Sequence, residues 1–387
     1  MLSKVVNFFT SLKLTVACLV LALGLVFIGT IAQVRLGLWI VQAQYFGSWF
    51  VMWGPQGASW KIPVFPGGYL IGTVLLVNLI AAHIKRFELS KKKFGIFVIH
   101  AGLILLLVGQ LTTQLYQVES FMAIEEGGQK NYSESERTAE LAIIDVTDTN
   151  DNFVVAIPQQ ILQKQNEIRH ERLPFTVRVQ KFSENSLPSI EQGKIKFTEK
   201  SLEVSMNKIN IPAVTVEFVT DEGAKGPFSV SSWQTRKQFV QMMAEGFESS
   251  FDRSMIEPAK FSYKGREYEV TLRGRRYYKD FTLALHDFRF DRYMGTAIPK
   301  NFSSRVTLIN PNTQENREIN IYMNNPLRYG GETFYQSSFE PDESGTVLQV
   351  VRNPSWLVPY ISCLMVSVGL IAQFMYHLVG FAKKRRA

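Results

Sequence analysis

Thiols, and acidic residues in the apolar flanks, are what this sequence lacks. Of 387 residues only Cys18 and Cys363 are cysteine, and both fall inside apolar runs. The long polar middle therefore cannot form a disulfide, a thiolate metal site or a thioether link. Acid is almost missing elsewhere: Glu88 is the single Asp or Glu outside residues 115–354, against 13 of the 42 Lys and Arg. The middle carries a net charge of −4 and the remainder +12. The basic pI of 9.3 thus comes from short clusters beside apolar runs. No basic face with interleaved aromatics accompanies them, so no nucleic-acid partner is expected. A nucleophile elbow, a Gly-rich phosphate loop and a His-x-x-x-His pair are also missing, which leaves hydrolytic catalysis without support.

What is present is apolar length. Leu14 to Ala32 is an unbroken run of nineteen residues after Lys4 and Lys13. It is longer than the apolar part of a cleaved leader, and Ile31-Ala32-Gln33 is a poor cleavage site, so a retained span is expected. Tyr69 to Ile84, Phe94 to Leu115 and Trp356 to Leu378 supply three more. Lys85, Arg86, Lys91, Lys92 and Lys93 lie between spans two and three, and Lys383 to Arg386 follow span four. By the positive-inside rule both clusters are cytoplasmic, as then are both termini, and the polar middle is extracytoplasmic. Between spans one and two, residues 33–66 hold Trp39, Tyr45, Phe46, Trp49, Phe50, Trp53 and Trp60. Their spacing of four predicts an aromatic-striped helix, either an anchor at headgroup level or a platform for a cofactor.

The middle reads as mostly β. Segments such as Ala139 to Val146, Phe175 to Phe182, Glu267 to Leu272, Phe281 to Phe288 and Val347 to Val351 alternate apolar and polar residues, with turn clusters between them. Ser231 to Phe251 is expected to be helical or irregular. The architecture expected is a membrane protein: an α-helical bundle of four spans, with a large mostly-β extracytoplasmic domain inserted between spans three and four. Its divisions fall at residues 1–115, 116–354 and 355–387.

Three histidines lie in the spans. His100 is seven residues from Lys93, roughly 10 Å from the basic edge. His377 is six from Lys383, which suggests a similar depth, and His83 is two from Lys85. Ionisable groups at such depth are rare and usually functional. Neutral imidazole in a dry helix bundle suits haem iron, and the plainer alternative is a hydrogen bond to a neighbouring helix carbonyl. His83 can also reach water directly. Outside the spans, His286 and Asp287 point to opposite faces of one strand, and His170 stands among charged neighbours; neither suggests a site.

Four passages resemble the ResB/CcsB family, the membrane component of system II (Ccs) cytochrome c biogenesis. They are Ser11-Leu12-Lys13-Leu14 with Tyr45-Phe46-Gly47-Ser48-Trp49-Phe50, then Phe97-Val98-Ile99-His100-Ala101-Gly102-Leu103 with Glu119 to Gly127, then Asp287-Phe288-Arg289-Phe290 through Ser304, and finally Asn324-Asn325-Pro326-Leu327 through Tyr335-Gln336-Ser337-Ser338-Phe339. The order of three spans, outer domain and one span is also similar.

The resemblance implies a haem-handling subunit of a cytochrome c synthase in a bacterial inner membrane, or alternatively a thylakoid membrane. It would export non-covalent haem b and deliver it to apocytochrome c beside a CcsA/ResC partner. It would not complete the synthase reaction alone, because no tryptophan-rich haem motif is present. By the same resemblance His100 is an axial ligand of haem iron, opposed by a ligand of the partner chain; His83 and His377 are further candidates. The rival reading is a non-catalytic scaffold whose outer domain binds apocytochrome c or a thioredoxin-like reductant.

Overall fold

Long apolar runs become helices and alternating segments become strands. The computed structural model describes residues 2–54, 60–85, 93–148, 151–191, 194–203, 209–237, 257–296, 299–340 and 343–386. The basic loop 86–92, and all but the first seven residues of the 231–251 segment, lie outside them.

The chain divides into two compact units. The first comprises Met1–Val118 and Asn353–Ala387. Its helices are α1 (Leu2–Phe9), α2 (Leu12–Leu36), α3 (Leu38–Val41), α4 (Gly68–Lys85), α5 (Phe94–Tyr116) and, at its C-terminal end, a helix over Val358–Arg386. Four of them, α2, α4, α5 and the last, are long and apolar enough to cross a membrane by length and composition. Ser11 separates α1 from α2 and caps α2, its hydroxyl accepting from the Lys13 amide. Asn78, buried in α4, ties that break down: its amide donates to the Phe9 and Ser11 carbonyls, and its oxygen accepts from the Thr15 hydroxyl at 2.6 Å.

The aromatic stretch is not the striped helix its spacing predicts. α3 leads into a π-helical turn at Gln42–Phe46, and then β1 (Phe50–Trp53) pairs antiparallel with β2 (Ile62–Pro66). Gly67 and Gly68 allow the chain to return close to Ser48 and Phe46, where a Cβ would collide with backbone. A recurrence of four residues fits a helix and a turn-plus-hairpin equally well, and Pro63 and Pro66 favour the hairpin.

The second unit comprises Glu119–Glu203 and Lys208–Arg352. Its strands are β3 (Val118–Glu125), β4 (Gln129–Asp145), β5 (Phe153–Pro158), β6 (Glu167–Ile168), β7 (Thr176–Ser183), β8 (Ser186–Glu191), β9 (Lys194–Glu199), β10 (Ala213–Thr220), β11 (Gly223–Ser231), β12 (Ala259–Tyr263), β13 (Arg266–Arg292), β14 (Pro299–Asn310), β15 (Glu315–Tyr322), β16 (Leu327–Tyr329), β17 (Glu332–Phe339) and β18 (Gly345–Arg352), with a single helical turn, α6 (Gln159–Leu162), after β5. The C-terminal helix is therefore α7. The main sheet runs β15-β14-β13-β4-β3-β18-β17-β16, with β12 on β13 and β5 on β4. A second sheet runs β11-β10-β7-β6.

Two segments read separately in the sequence, Glu267 to Leu272 and Phe281 to Phe288, belong to one 27-residue strand, β13. Its first part packs Tyr268, Val270 and Leu272 into one core with Val177, Val216, Phe218 and Phe261. Its second part packs Phe281, Leu283 and Leu285 into another with Met122, Leu308, Phe334 and Leu348. The inward residues change from even to odd numbers, which a regular strand forbids. Register shifts against β4 between Gly274 and Arg276, and between Tyr278 and Leu283, absorb the change. Between the cores Arg273 faces Glu140 at 3.0 Å, both buried, and Arg276 faces Glu134 at 2.7 Å. Around the second core the sheet curls until the Ser304 hydroxyl of β14 bonds both Gln336 of β17 and Thr346 of β18.

Candidate functional site: two histidines on neighbouring apolar helices

Glycines set the geometry of α5. Gly95, Gly102 and Gly109 are buried at intervals of seven residues. A Cβ at Gly95 would stand 2.6 Å from the Gly369 carbonyl and 2.7 Å from Gln373 Cβ; one at Gly102 would stand 3.0 Å from the Ser362 carbonyl. Gly109 lies against Val358. As α5 numbers rise, their α7 partners fall, so the two helices are antiparallel and packed as closely as their backbones allow. Small residues at such a seam are the usual means of helix association in lipid.

The seam decides where His100 points. At 3.6 residues per turn it lies roughly 150° round α5 from the glycine row, away from α7. There it meets His83 of α4, with ring centroids 6.0 Å apart and planes at 82°. Phe97, one turn before His100, lies 4.7 Å from the His83 ring. Both histidines are partly buried, and neither α4 nor α5 contains an Asp or Glu. His83, two residues from Lys85 in sequence, stands beside Phe97 and His100.

His377 is not with them. The glycine contacts place His100 level with about Val366, so His377 lies eleven residues further along α7, about 16 Å. The similar depth inferred by counting from Lys93 and Lys383 does not hold, because α7 runs past the start of α5. His377 is exposed, and its Nε2 is 2.8 Å from the Gln373 amide nitrogen one turn earlier. Neither Phe97 nor Gln373 stands out in the sequence, although the seven-residue glycine spacing was a legible sign of the seam that orients His100.

The His83 and His100 rings come together on two helices that carry no Asp or Glu, and neutral imidazole is a donor that suits haem iron. In the second unit His170 Nδ1 accepts from the Arg172 amide and His286 Nε2 lies 2.6 Å from the Thr307 hydroxyl, both at exposed positions. Among the described residues no three His, Cys, Asp or Glu side chains converge as a metal cluster.

Residues 241–347, in the β-rich unit, match the ResB-like family. None of the three span histidines lies in that stretch. The chain is also 25% identical over 304 residues to Protein NrfI of Wolinella succinogenes, an alignment covering 77% of this chain. It spans 29% of that relative's length. Both findings bear out the resemblance to the ResB family that the sequence motifs carry.

Proposed function

We propose that the chain acts in cytochrome c biogenesis as a membrane-embedded subunit that handles haem. The observation that carries this reading is the meeting of two imidazoles, His83 and His100, on the apolar helices α4 and α5; the ResB-like match supports it independently. Haem b is the cargo, bound without a covalent link, and His100 is its first ligand. The four apolar helices cross the membrane with both termini on the basic, cytoplasmic side, and the β-rich unit lies outside, where apocytochrome c is met. A CcsA/ResC-type membrane protein supplies the groups that complete transfer, and a thioredoxin-like reductant keeps the acceptor thiols reduced. The membrane is a bacterial inner membrane.

The test is spectroscopic. Purified with its co-expressed membrane partner, the chain should show a Soret band with b-type α and β bands, and His100→Ala should lose most of the haem and abolish cytochrome c maturation. Haem content and maturation both unchanged in His100→Ala would overturn the reading. A complex without any Soret band would point to the scaffold role for the outer unit.

A further inference from the structure

Resting on the reading that the apolar helices cross a membrane, we infer that the β1–β2 hairpin binds the phospholipid headgroup layer on the face opposite Lys85 and Lys93, and so fixes how deep the helices sit. Its base is at the right height. Gly68 and Lys85 are the two ends of α4, about 26 Å apart along the helix. Gln114 lies about 30 Å along α5 from Phe94, and a Cβ at Gly47 would stand 2.7 Å from its amide nitrogen. The hairpin therefore leaves the helices where a hydrocarbon layer of about 30 Å ends. The Gly67 amide donates to the Trp49 carbonyl at 2.9 Å and the Tyr69 amide to the Ser48 carbonyl at 3.1 Å, which ties the hairpin to that level.

The surface it shows fits the same layer. Val51 and Phe65, partners across the hairpin, pack with Cys18, Leu25 and Ile71 of α2 and α4. Phe50, Met52, Trp53, Trp60, Ile62 and Val64 are instead 47–57% exposed. Water is a poor neighbour for that much apolar surface on a sheet of only two strands. Hydrocarbon is a poor neighbour too: each strand pairs with the other alone, so the outer backbone groups need water or headgroups. The headgroup layer meets both demands, and it is where aromatic side chains concentrate. Charge agrees, because residues 50–66 contain no Asp or Glu and their single charge, Lys61, is an exposed cation that suits lipid phosphate.

The experiment puts spin labels on the full chain in phospholipid nanodiscs, alone and with its co-expressed membrane partner. Cys18→Ala and Cys363→Ala clear the background, and Met52→Cys or Ile62→Cys carries the label. Leu19→Cys, at an exposed position of α2, and Glu222→Cys, at an exposed turn of the outer unit, are the references. Collision with oxygen, which dissolves in lipid, and with a water-soluble nickel chelate reads the depth of each label; far-UV circular dichroism checks that the labelled chains are folded. The nickel-to-oxygen ratio should be lowest at Leu19, highest at Glu222 and intermediate at both hairpin positions, with or without the partner. The inference is overturned if the hairpin labels match either reference. It is equally overturned if they are shielded from both probes, alone or beside the partner, since the face would then be a protein contact. The proposed function survives each of these outcomes, whereas a Leu19 label as open to nickel as Glu222 would sink the membrane reading on which both rest.

Discussion

Asp145 closes β4 as a buried carboxylate well supplied with donors. Its carboxylate accepts from the Thr147 hydroxyl at 2.5 Å, the Thr147 amide at 3.1 Å and Arg266 at 3.0 Å. Burial pushes its pKa up, but the bonds from Thr147 and Arg266 outweigh that and hold it below the ordinary carboxylate value. The sign follows from linkage: the stabilisation is complete above the ordinary value and is lost as pH falls through the lower, folded one. Thermal melts should therefore show Asp145→Asn costing about 1–3 kcal/mol at neutral pH and less in strong acid. The second single-residue lever is Asn78, whose three bonds fix the α1–α2 break. Replacing it with Ala strands the Phe9 carbonyl, while the Ser11 carbonyl keeps the Leu14 and Thr15 amides, and should lower stability in detergent by about 1–3 kcal/mol, read from a thermal melt.

Among the elements, the α5–α7 seam and the β4–β13 pairing are held by opposite means. The seam depends on missing side chains: Gly95→Ile puts a branched side chain against the Gly369 carbonyl and must drive the helices apart. A cysteine cross-link engineered between Gly102 and Ser362 should form readily in an otherwise native chain and fail in Gly95→Ile. The β4–β13 pairing depends on buried charge. Arg273→Met leaves Glu140 as an uncompensated buried carboxylate and should cost about 3–5 kcal/mol, whereas replacing both partners by apolar residues should recover most of that loss.

These elements differ in how plainly the sequence announces them. Four apolar helices and a mostly-β polar region follow from run length and alternation, because hydrophobic burial repeats along the chain in a way that can be counted. The hairpin at residues 50–66 does not follow, since its aromatics repeat at an interval that two structures share. The unity of β13 was hidden because its inward residues change parity at the bulges, which makes one strand look like two. The histidine pair was half legible. His100 stands out as an imidazole in an apolar run, but its meeting with His83 depends on helix rotation and offset, which the glycine seam sets and which counting from basic residues cannot supply.

On the scale of the whole molecule, each unit has its own chemistry. The first is held by apolar helices with a few buried polar ties, the second by two hydrophobic cores and cross-strand ion pairs. The segment Glu119–Arg352 should accordingly be obtained without the helices as a soluble β-rich protein that binds no haem; circular dichroism and a haem titration check both points.

β13 also has a consequence for how the outer unit comes apart. One backbone contributes a wall to each interior, so half of it cannot become disordered without loosening its anchorage in the other. Leu272→Ala and Leu283→Ala, one in each interior, should each cost about 2–5 kcal/mol. Calorimetry should register both losses in a single shared heat-absorption peak, as when either end of a common beam is sawn through and the entire floor sags.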